Sequence, residues 1–121
     1  MPPVLFPAGP LTGAPRGHRF VAPRPEGWSS VAVMEWELTG QEWRDQHPHD
    51  ELNYVLEGTL FVEVDGETVE APAGSLVQVR AGDAGRYWAP DHARMLAIYG
   101  PNPDGLASRV DGLRPLDELD S

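Results

Sequence analysis

The sequence predicts an all-β sandwich or barrel, and three observations support this fold class. Short apolar runs recur about every 8–12 residues, which is the strand spacing typical of such folds. Turn-forming residues separate the runs, as at Asp65-Gly66 and at Pro72-Ala73-Gly74. Helical periodicity is nearly absent, since only Leu113 to Leu119 could make a short helix.

The bulk composition limits the class of protein. At 121 residues the chain suits one domain, whose folding should bury roughly 65% of the unfolded surface. It has no cysteine, which excludes disulfides and thiolate metal sites. The net charge is −10, with nine arginines and no lysine, and this acidity disfavours nucleic acids and anionic membranes as partners. No apolar run approaches the roughly 18 residues of a membrane span, and no signal region is evident, so we expect a cytoplasmic protein.

Residues 1–28 form a proline-rich N-terminal arm with seven of the thirteen prolines. Proline fixes φ and lacks the N–H group, so the arm should be extended and not helical. His18 to Val21 is its one predicted strand. We expect the arm either to lie over its own barrel or to cross to a neighbouring subunit.

Residues 29–100 are predicted to form the barrel itself. From Ser30 to Leu38 an apolar face alternates with a mixed face, which is typical of a half-buried strand, and Thr39-Gly40 ends it. Further strands are predicted at Leu52–Leu56, Thr59–Val64, Thr68–Ala71, Leu76–Val79, Arg86–Trp88 and Arg94–Tyr99.

Residues 101–121 are predicted to be a C-terminal tail that packs on or near the barrel, with the short helix at 113–119. The strand at 52–56 has apolar residues on both faces. One face is needed for the core, so the other is a hint of a subunit interface. We therefore expect a homodimer.

Four potential metal ligands are spaced two residues apart in the centre of the chain: Asp45, His47, His49 and Glu51. In a regular strand such residues point to one face. Two imidazoles and a carboxylate are the ligands of facial-triad metal sites with open positions. The alternative interpretation is a solvated polar loop that happens to contain two histidines.

From this stretch onward the chain resembles the cupin superfamily of small jelly-roll β-barrels, whose first motif is G-x5-H-x-H-x(3–4)-E-x6-G. His47, Glu51 and Gly58 match it in spacing. Asp45 stands at the position of the first histidine, and Gly40 is one residue too close to it. The resemblance covers about seventy residues, roughly 30–99.

The second cupin motif, G-x5-P-x-G-x2-H-x3-N, is matched only in part. Gly74 and Gly82 have the right spacing, but Arg80 replaces the proline. The ligand histidine falls at Gly85 and the final asparagine at Ala89. Carried over position by position, the family's four metal ligands become Asp45, His47, Glu51 and Gly85, and glycine cannot be a ligand. His49 is an extra imidazole that the motif does not require.

The resemblance implies a single-domain cupin barrel whose interior receives a small, oxygen-rich molecule. Similar small cupins act as dioxygenases, isomerases, lyases, decarboxylases or cyclases. In one interpretation His47 and Glu51, with Asp45, His49 or both, hold a divalent Fe, Mn, Zn or Ni ion that acts as a Lewis acid. In a second the site is degenerate and binds no metal; Glu51 is then a general base and a histidine shuttles the proton. In a third the barrel binds a small molecule without chemistry.

Tyr87 is the remaining candidate for catalysis. It shares strand parity with Gly85, so it should point into the space that the missing histidine would have occupied. There it would either donate a hydrogen bond to a substrate oxygen or simply plug the barrel. Asn53 has the inner parity of Glu51, and His18 could reach the site only if the arm folds over the barrel mouth.

Overall fold

The computed structural model describes residues 1–118 and is built from nine strands and one 3-10 turn. In chain order they are β1 (Gly17–Val21), β2 (Ala32–Leu38), β3 (Gln41–Gln46), β4 (Glu51–Val64), β5 (Glu67–Pro72), β6 (Leu76–Val79), β7 (Ala84–Ala89), β8 (Ala93–Tyr99), β9 (Arg109–Pro115) and the turn Leu116–Glu118. The predicted all-β fold class is confirmed.

Two curved antiparallel sheets share the long strand β4. Its first half lies between β6 and β8, and that sheet continues through β2 to β1. Its second half lies between β5 and β7, and that sheet continues through β3 to β9. The two expected strands at 52–56 and 59–64 are therefore one continuous strand that passes from sheet to sheet.

Gly58 is the residue at which β4 changes sheets. Its φ is 73°, in the left-handed region, and the register of β4 against β8 shifts between Val55 and Glu57. A Cβ atom at position 58 would lie 1.8 Å from the backbone oxygen of His92. Since only glycine permits this approach, the residue fixes where the strand bends.

The core lies between the two sheets and consists of side chains that alternate inward. Trp36 and Leu38 of β2 are buried, as the alternation of that strand predicts. They pack with the buried side chains of the other strands, which include Val55, Leu60, Val62, Tyr87 and Met95. A single core of this kind needs no disulfide or structural metal.

The Asp65-Gly66 turn is formed as the sequence predicts. It joins β4 and β5 by two residues with φ values of 53° and 79°, and positive φ at both positions is the requirement of a type I′ hairpin turn.

The C-terminal segment differs from its prediction. The expected helix at 113–119 is wrong for residues 113–115, because these belong to β9, which pairs with β3. Only the 3-10 turn at 116–118 is helical, and Leu119 lies outside the described residues. Within residues 1–118, no helix is long and apolar enough to cross a membrane. The homodimer stays a prediction.

Candidate functional site

A cavity of about 1010 Å³ opens at one end of the barrel. The barrel supplies its floor, whereas the arm and the segment after β8 supply its walls. The two wall segments are tied to each other, because Trp28 and Asn102 exchange backbone hydrogen bonds of 3.0 and 2.9 Å. Their backbones also approach closely: a Cβ atom at Gly105 would lie 2.5 Å from the oxygen of Pro25.

Three of the predicted ligands meet on the cavity floor. Asp45 is near the end of β3, Glu51 begins β4, and His47 lies in the connection between them. Their donor atoms all lie within 4.8 Å of one another. His47 Nε2 is 2.8 Å from Asp45 Oδ2 and 3.4 Å from Glu51 Oε2.

The four residues do not lie on one regular strand, since residues 47–50 are a non-strand connection between β3 and β4. His49 is therefore not brought to the three donor atoms. Its Nδ1 lies 3.1 Å from the oxygen of Asp50, and its ring stacks on His47 and Tyr99 with centroid distances of 4.7 and 5.3 Å. It is buried and lines the cavity. A role for His49 as metal ligand or catalyst stays a prediction.

Each of the three donor residues is held in place by a neighbour. Trp43 Nε1 donates to Asp45 Oδ2 over 2.6 Å, and His47 Nδ1 lies 2.7 Å from Ser108 Oγ. Two further donors reach Glu51: Asn53 Nδ2 at 3.3 Å from Oε1, and the Tyr87 hydroxyl at 3.2 Å from Oε2. Partners of this kind orient ligands and tune metal affinity.

The donor set fits a divalent ion. Donor atoms about 2.1 Å from one ion and at right angles to each other are about 3.0 Å apart, close to the distances from His47 Nε2 to the two carboxylates. One imidazole and two carboxylates suit Fe, Mn or Zn. Three protein ligands leave further positions for substrate or water.

Tyr87 occupies the space of the missing fourth ligand. Gly85 is paired with Asp45 across β3 and β7, and a Cβ atom at Gly85 would lie 2.8 Å from Cε2 and 2.9 Å from the hydroxyl of Tyr87. Tyr87 is fully buried. A histidine at position 85 and an inward Tyr87 therefore exclude each other, because the site cannot accommodate both side chains.

Burial and the two carboxylates together set the pKa values of the site. Burial and the charge of Asp45 raise the pKa of Glu51. Burial lowers the pKa of His47, but the hydrogen bond and charge of Asp45 and the charge of Glu51 outweigh it, so that the pKa stands above its ordinary value. Burial also lowers the pKa of His49 and raises that of the Tyr87 phenol. Without a cation, a proton is therefore favoured between His47 and its two carboxylates.

Three further side chains that could contact a ligand lie in different places, one in the cavity and two outside it. His18 lines the cavity because the arm folds over the barrel mouth. Outside the cavity, Arg86 pairs with the buried Glu42 and stacks over Trp88 at 4.2 Å, and His92 pairs with Glu37 at 3.0 Å. Sequence reasoning missed Ser108, whose contact with His47 joins residues 61 positions apart, and no local pattern marks such a contact.

The comparisons with known proteins agree on the fold. A family model described as Cupin domain matches residues 32–99. A curated relative, acetate kinase EutQ of Clostridioides difficile, is 33% identical over 69 residues, which are 57% of this chain and 43% of that protein. The chain thus spans less than half the length of this relative.

Two solved structures are similar as well. The putative ethanolamine utilization protein EutQ of Salmonella typhimurium has a TM-score of 0.58 and 30% identity, covering 60% of this chain and 59% of its own. The DMSP lyase DddQ of Ruegeria pomeroyi has a TM-score of 0.64 and 14% identity, covering 78% of this chain and 50% of its own. At that identity the second likeness shows the fold alone.

Proposed function

This chain belongs to the cupin family, and on that premise we propose that its barrel is a metal-assisted enzyme site for a small, oxygen-rich organic molecule. One observation carries the proposal: the donor atoms of Asp45, His47 and Glu51 lie within 4.8 Å of one another on the floor of the cavity. A divalent Fe, Mn, Zn or Ni ion bound there would supply Lewis-acid polarisation of a substrate oxygen.

The residues around the three donors orient their side chains by hydrogen bonds. Trp43 and Ser108 fix the orientations of Asp45 and His47, so that their donor atoms converge without reorganisation. Glu51 is only 7% exposed, so little of its side chain is accessible to water. The Tyr87 hydroxyl donates a hydrogen bond to Glu51 Oε2 over an oxygen–oxygen distance of 3.2 Å. That contact gives the site a hydrogen-bond donor beside the buried carboxylate of Glu51.

Two of the relatives carry enzyme names, a kinase and a lyase. These names describe the activities of the two relatives. The kinase name of the curated relative supports the proposal of an enzyme, whereas the likeness to the lyase supports the fold alone. The residues of this chain do not select the reaction among isomerase, lyase, cyclase and dioxygenase types.

The proposal is tested by metal analysis of the protein purified without chelator and refilled with each of the four ions. We expect about one equivalent of one metal in the wild type, the stoichiometry of a single three-ligand site. His47→Ala should lose it, because only two donors remain. The matched control is His92→Ala, which removes an imidazole that also pairs with a glutamate but lies outside the cavity. Equal metal content in His47→Ala and His92→Ala would contradict the proposal.

A metal-free acid–base site is the second candidate, and a specific observation favours it. Within residues 1–117, no buried side-chain nitrogen or oxygen lacks a hydrogen-bond partner, so the network is complete without an ion. Glu51 would then abstract a proton and His47 would accept or return it across their 3.4 Å contact. If refilled wild type holds no metal, this candidate replaces the first. Glu51→Gln should then reduce turnover about 10²-fold or more, whereas a pure binding protein would keep its ligand affinity.

A further inference from the structure

The walls of the cavity differ from its floor in chemistry. The floor is acidic, with Asp45 and Glu51. The walls present the aromatic side chains of Trp28 and Tyr99, whose ring centroids are 6.2 Å apart. They also present Arg19 and Arg24 from the N-terminal arm. Sequence reasoning did not single out either arginine.

Most arginines of this chain are paired with carboxylates. The chain has 19 acidic residues for nine arginines, and five arginines make salt bridges: Arg16, Arg44, Arg86, Arg94 and Arg109. Among the side chains that the structure describes, neither Arg19 nor Arg24 is in such a pair. Arg80 and Arg114 also lack such a pair among the described side chains, but they do not line the cavity. Arg19 and Arg24 are exposed residues that do line it. In so acidic a chain, two such guanidinium groups beside one cavity favour an anion from outside.

The backbone directs Arg19 to the cavity and restricts Arg24, which also lines the cavity. Arg19 is the cross-strand partner of Met34 in the β1–β2 ladder. Cross-strand partners lie on the same face of a sheet, and Met34 also lines the cavity. Arg24 stands between Pro23 and Pro25, which restrict its backbone. The oxygen of Arg24 also accepts a 3.0 Å hydrogen bond from Gly27 N. Both guanidinium groups are thus presented on constrained backbone.

We infer that Arg19 and Arg24 bind the carboxylate of a small, planar organic acid whose unsaturated body lies against Trp28 and Tyr99. A guanidinium forms two parallel hydrogen bonds with a carboxylate, and flat unsaturated groups pack well on aromatic rings. The acidic floor would repel a doubly charged phosphate more strongly than a singly charged carboxylate. The end of the acid opposite its carboxylate would lie over His47 and Glu51 and react there. This placement rests on the function proposed above, whereas the binding of the carboxylate does not.

The test is calorimetric titration of the purified protein with matched probes. Cinnamate is the planar acid, cinnamamide is its uncharged counterpart, and phenyl phosphate carries the alternative anion. We expect cinnamate to bind wild type at least tenfold more tightly than either of the others, since charged hydrogen bonds distinguish them. Arg19→Gln and Arg24→Gln should each weaken cinnamate about tenfold and leave cinnamamide unchanged. Arg80→Gln, an exposed arginine outside the cavity, should bind cinnamate like the wild type.

Several outcomes would overturn the inference. These are equal binding of acid and amide, tighter binding of phenyl phosphate, unchanged cinnamate affinity in both arginine variants, or no binding of any probe at millimolar concentration. Metal content measured on the same variants separates this inference from the proposed function. Loss of cinnamate binding with retained metal in Arg19→Gln supports the carboxylate site alone, and retained cinnamate binding in metal-free His47→Ala shows that the two sites are independent.

Discussion

The regions of the two cupin motifs, residues 45–58 and 74–89, have diverged in different ways. The first keeps three potential ligands, with Asp45 in place of the first histidine, and the donor atoms of Asp45, His47 and Glu51 converge on the floor of the cavity. The second keeps only its turns. Gly74 and Gly82 have positive φ values of 91° and 86°, but the ligand position is Gly85.

This difference shows that the backbone and ligand roles of a motif are separable. The turns of the second motif position β6 and β7 whatever side chain stands at position 85. The space that a ligand would have used is taken by Tyr87, which donates to Glu51 of the first motif. The second region therefore still serves the site, through a hydrogen bond in place of a ligand.

Replacing the last glycine of the first motif should have the largest effect. In Gly58→Ala the new Cβ atom would lie 1.8 Å from the backbone oxygen of His92, at a φ of 73°. Because backbone must move to relieve this contact, we expect the free energy of unfolding to fall by about 3 kcal/mol or more. Urea denaturation measures the change.

Gly74→Ala, in the second motif, is the matched control for this substitution. Its φ is also positive, but no atom lies within 4 Å of the added Cβ, so only the conformational cost of about 1 kcal/mol is expected. Similar losses in both variants would show that the two motif glycines have the same role, contrary to the structure.

The strands β3 and β7 pair with each other and so join the two regions. Glu42 of β3, a buried residue outside the cavity, gives a prediction about pH. Burial raises the pKa of Glu42, but hydrogen bonds and charges from Arg86 and Arg44 outweigh it and hold the pKa below its ordinary value of 4.5. A carboxyl whose pKa is lower in the folded state than in the unfolded state stabilises the fold at pH values above its unfolded-state pKa. This contribution is lost as the pH falls through the folded-state pKa. Glu42→Gln should therefore cost about 2 kcal/mol near pH 7.

The cost of Glu42→Gln should shrink as the pH falls below about 4.5, because the wild-type carboxyl, whose pKa in the folded state is below that value, then becomes protonated. Urea denaturation of both proteins at several pH values measures it. The same series on Glu63→Gln, whose contact with Arg86 is longer at 3.7 Å and partly exposed, should show a smaller effect. A cost for Glu42→Gln that stays constant with pH would contradict the ion pair.

The smallest expected effect is the energetic coupling between positions 85 and 87. It tests whether Tyr87 leaves no room for a side chain at position 85. Gly85→Ala should destabilise the wild type by about 1–3 kcal/mol, since its Cβ atom would meet the Tyr87 ring. In a Tyr87→Leu background the same change should cost less, giving a coupling of about 1 kcal/mol in a double-mutant cycle. Additive costs would show that Tyr87 does not exclude a side chain at 85.

Local pattern determined what could be predicted from sequence. The three donors fall within seven residues, so their spacing predicted that they lie together. The shared strand parity of Gly85 and Tyr87 predicted that Tyr87 points into the space of the missing ligand. The strand β9 was missed because it contains Gly112 at a φ of 107° and ends at Pro115. Such residues favour turns, and a strand tolerates them here because β9 is an edge strand that pairs only with β3 among the described strands. The contributions of Ser108, Arg19 and Arg24 depend on contacts between distant segments.

The paired walls of the cavity have a consequence for its opening. Trp28 and Asn102 hold the two segments together by backbone hydrogen bonds, and the Asn102 side chain both donates to the Leu106 oxygen and accepts from the Leu106 amide. The two walls should therefore unfold locally as one cooperative unit, distinct from the barrel. In hydrogen exchange, the amides of Trp28, Asn102 and Leu106 should share one opening free energy that lies below that of β4. Entry to the cavity would then be governed by the local stability of this unit and not by the global stability of the fold.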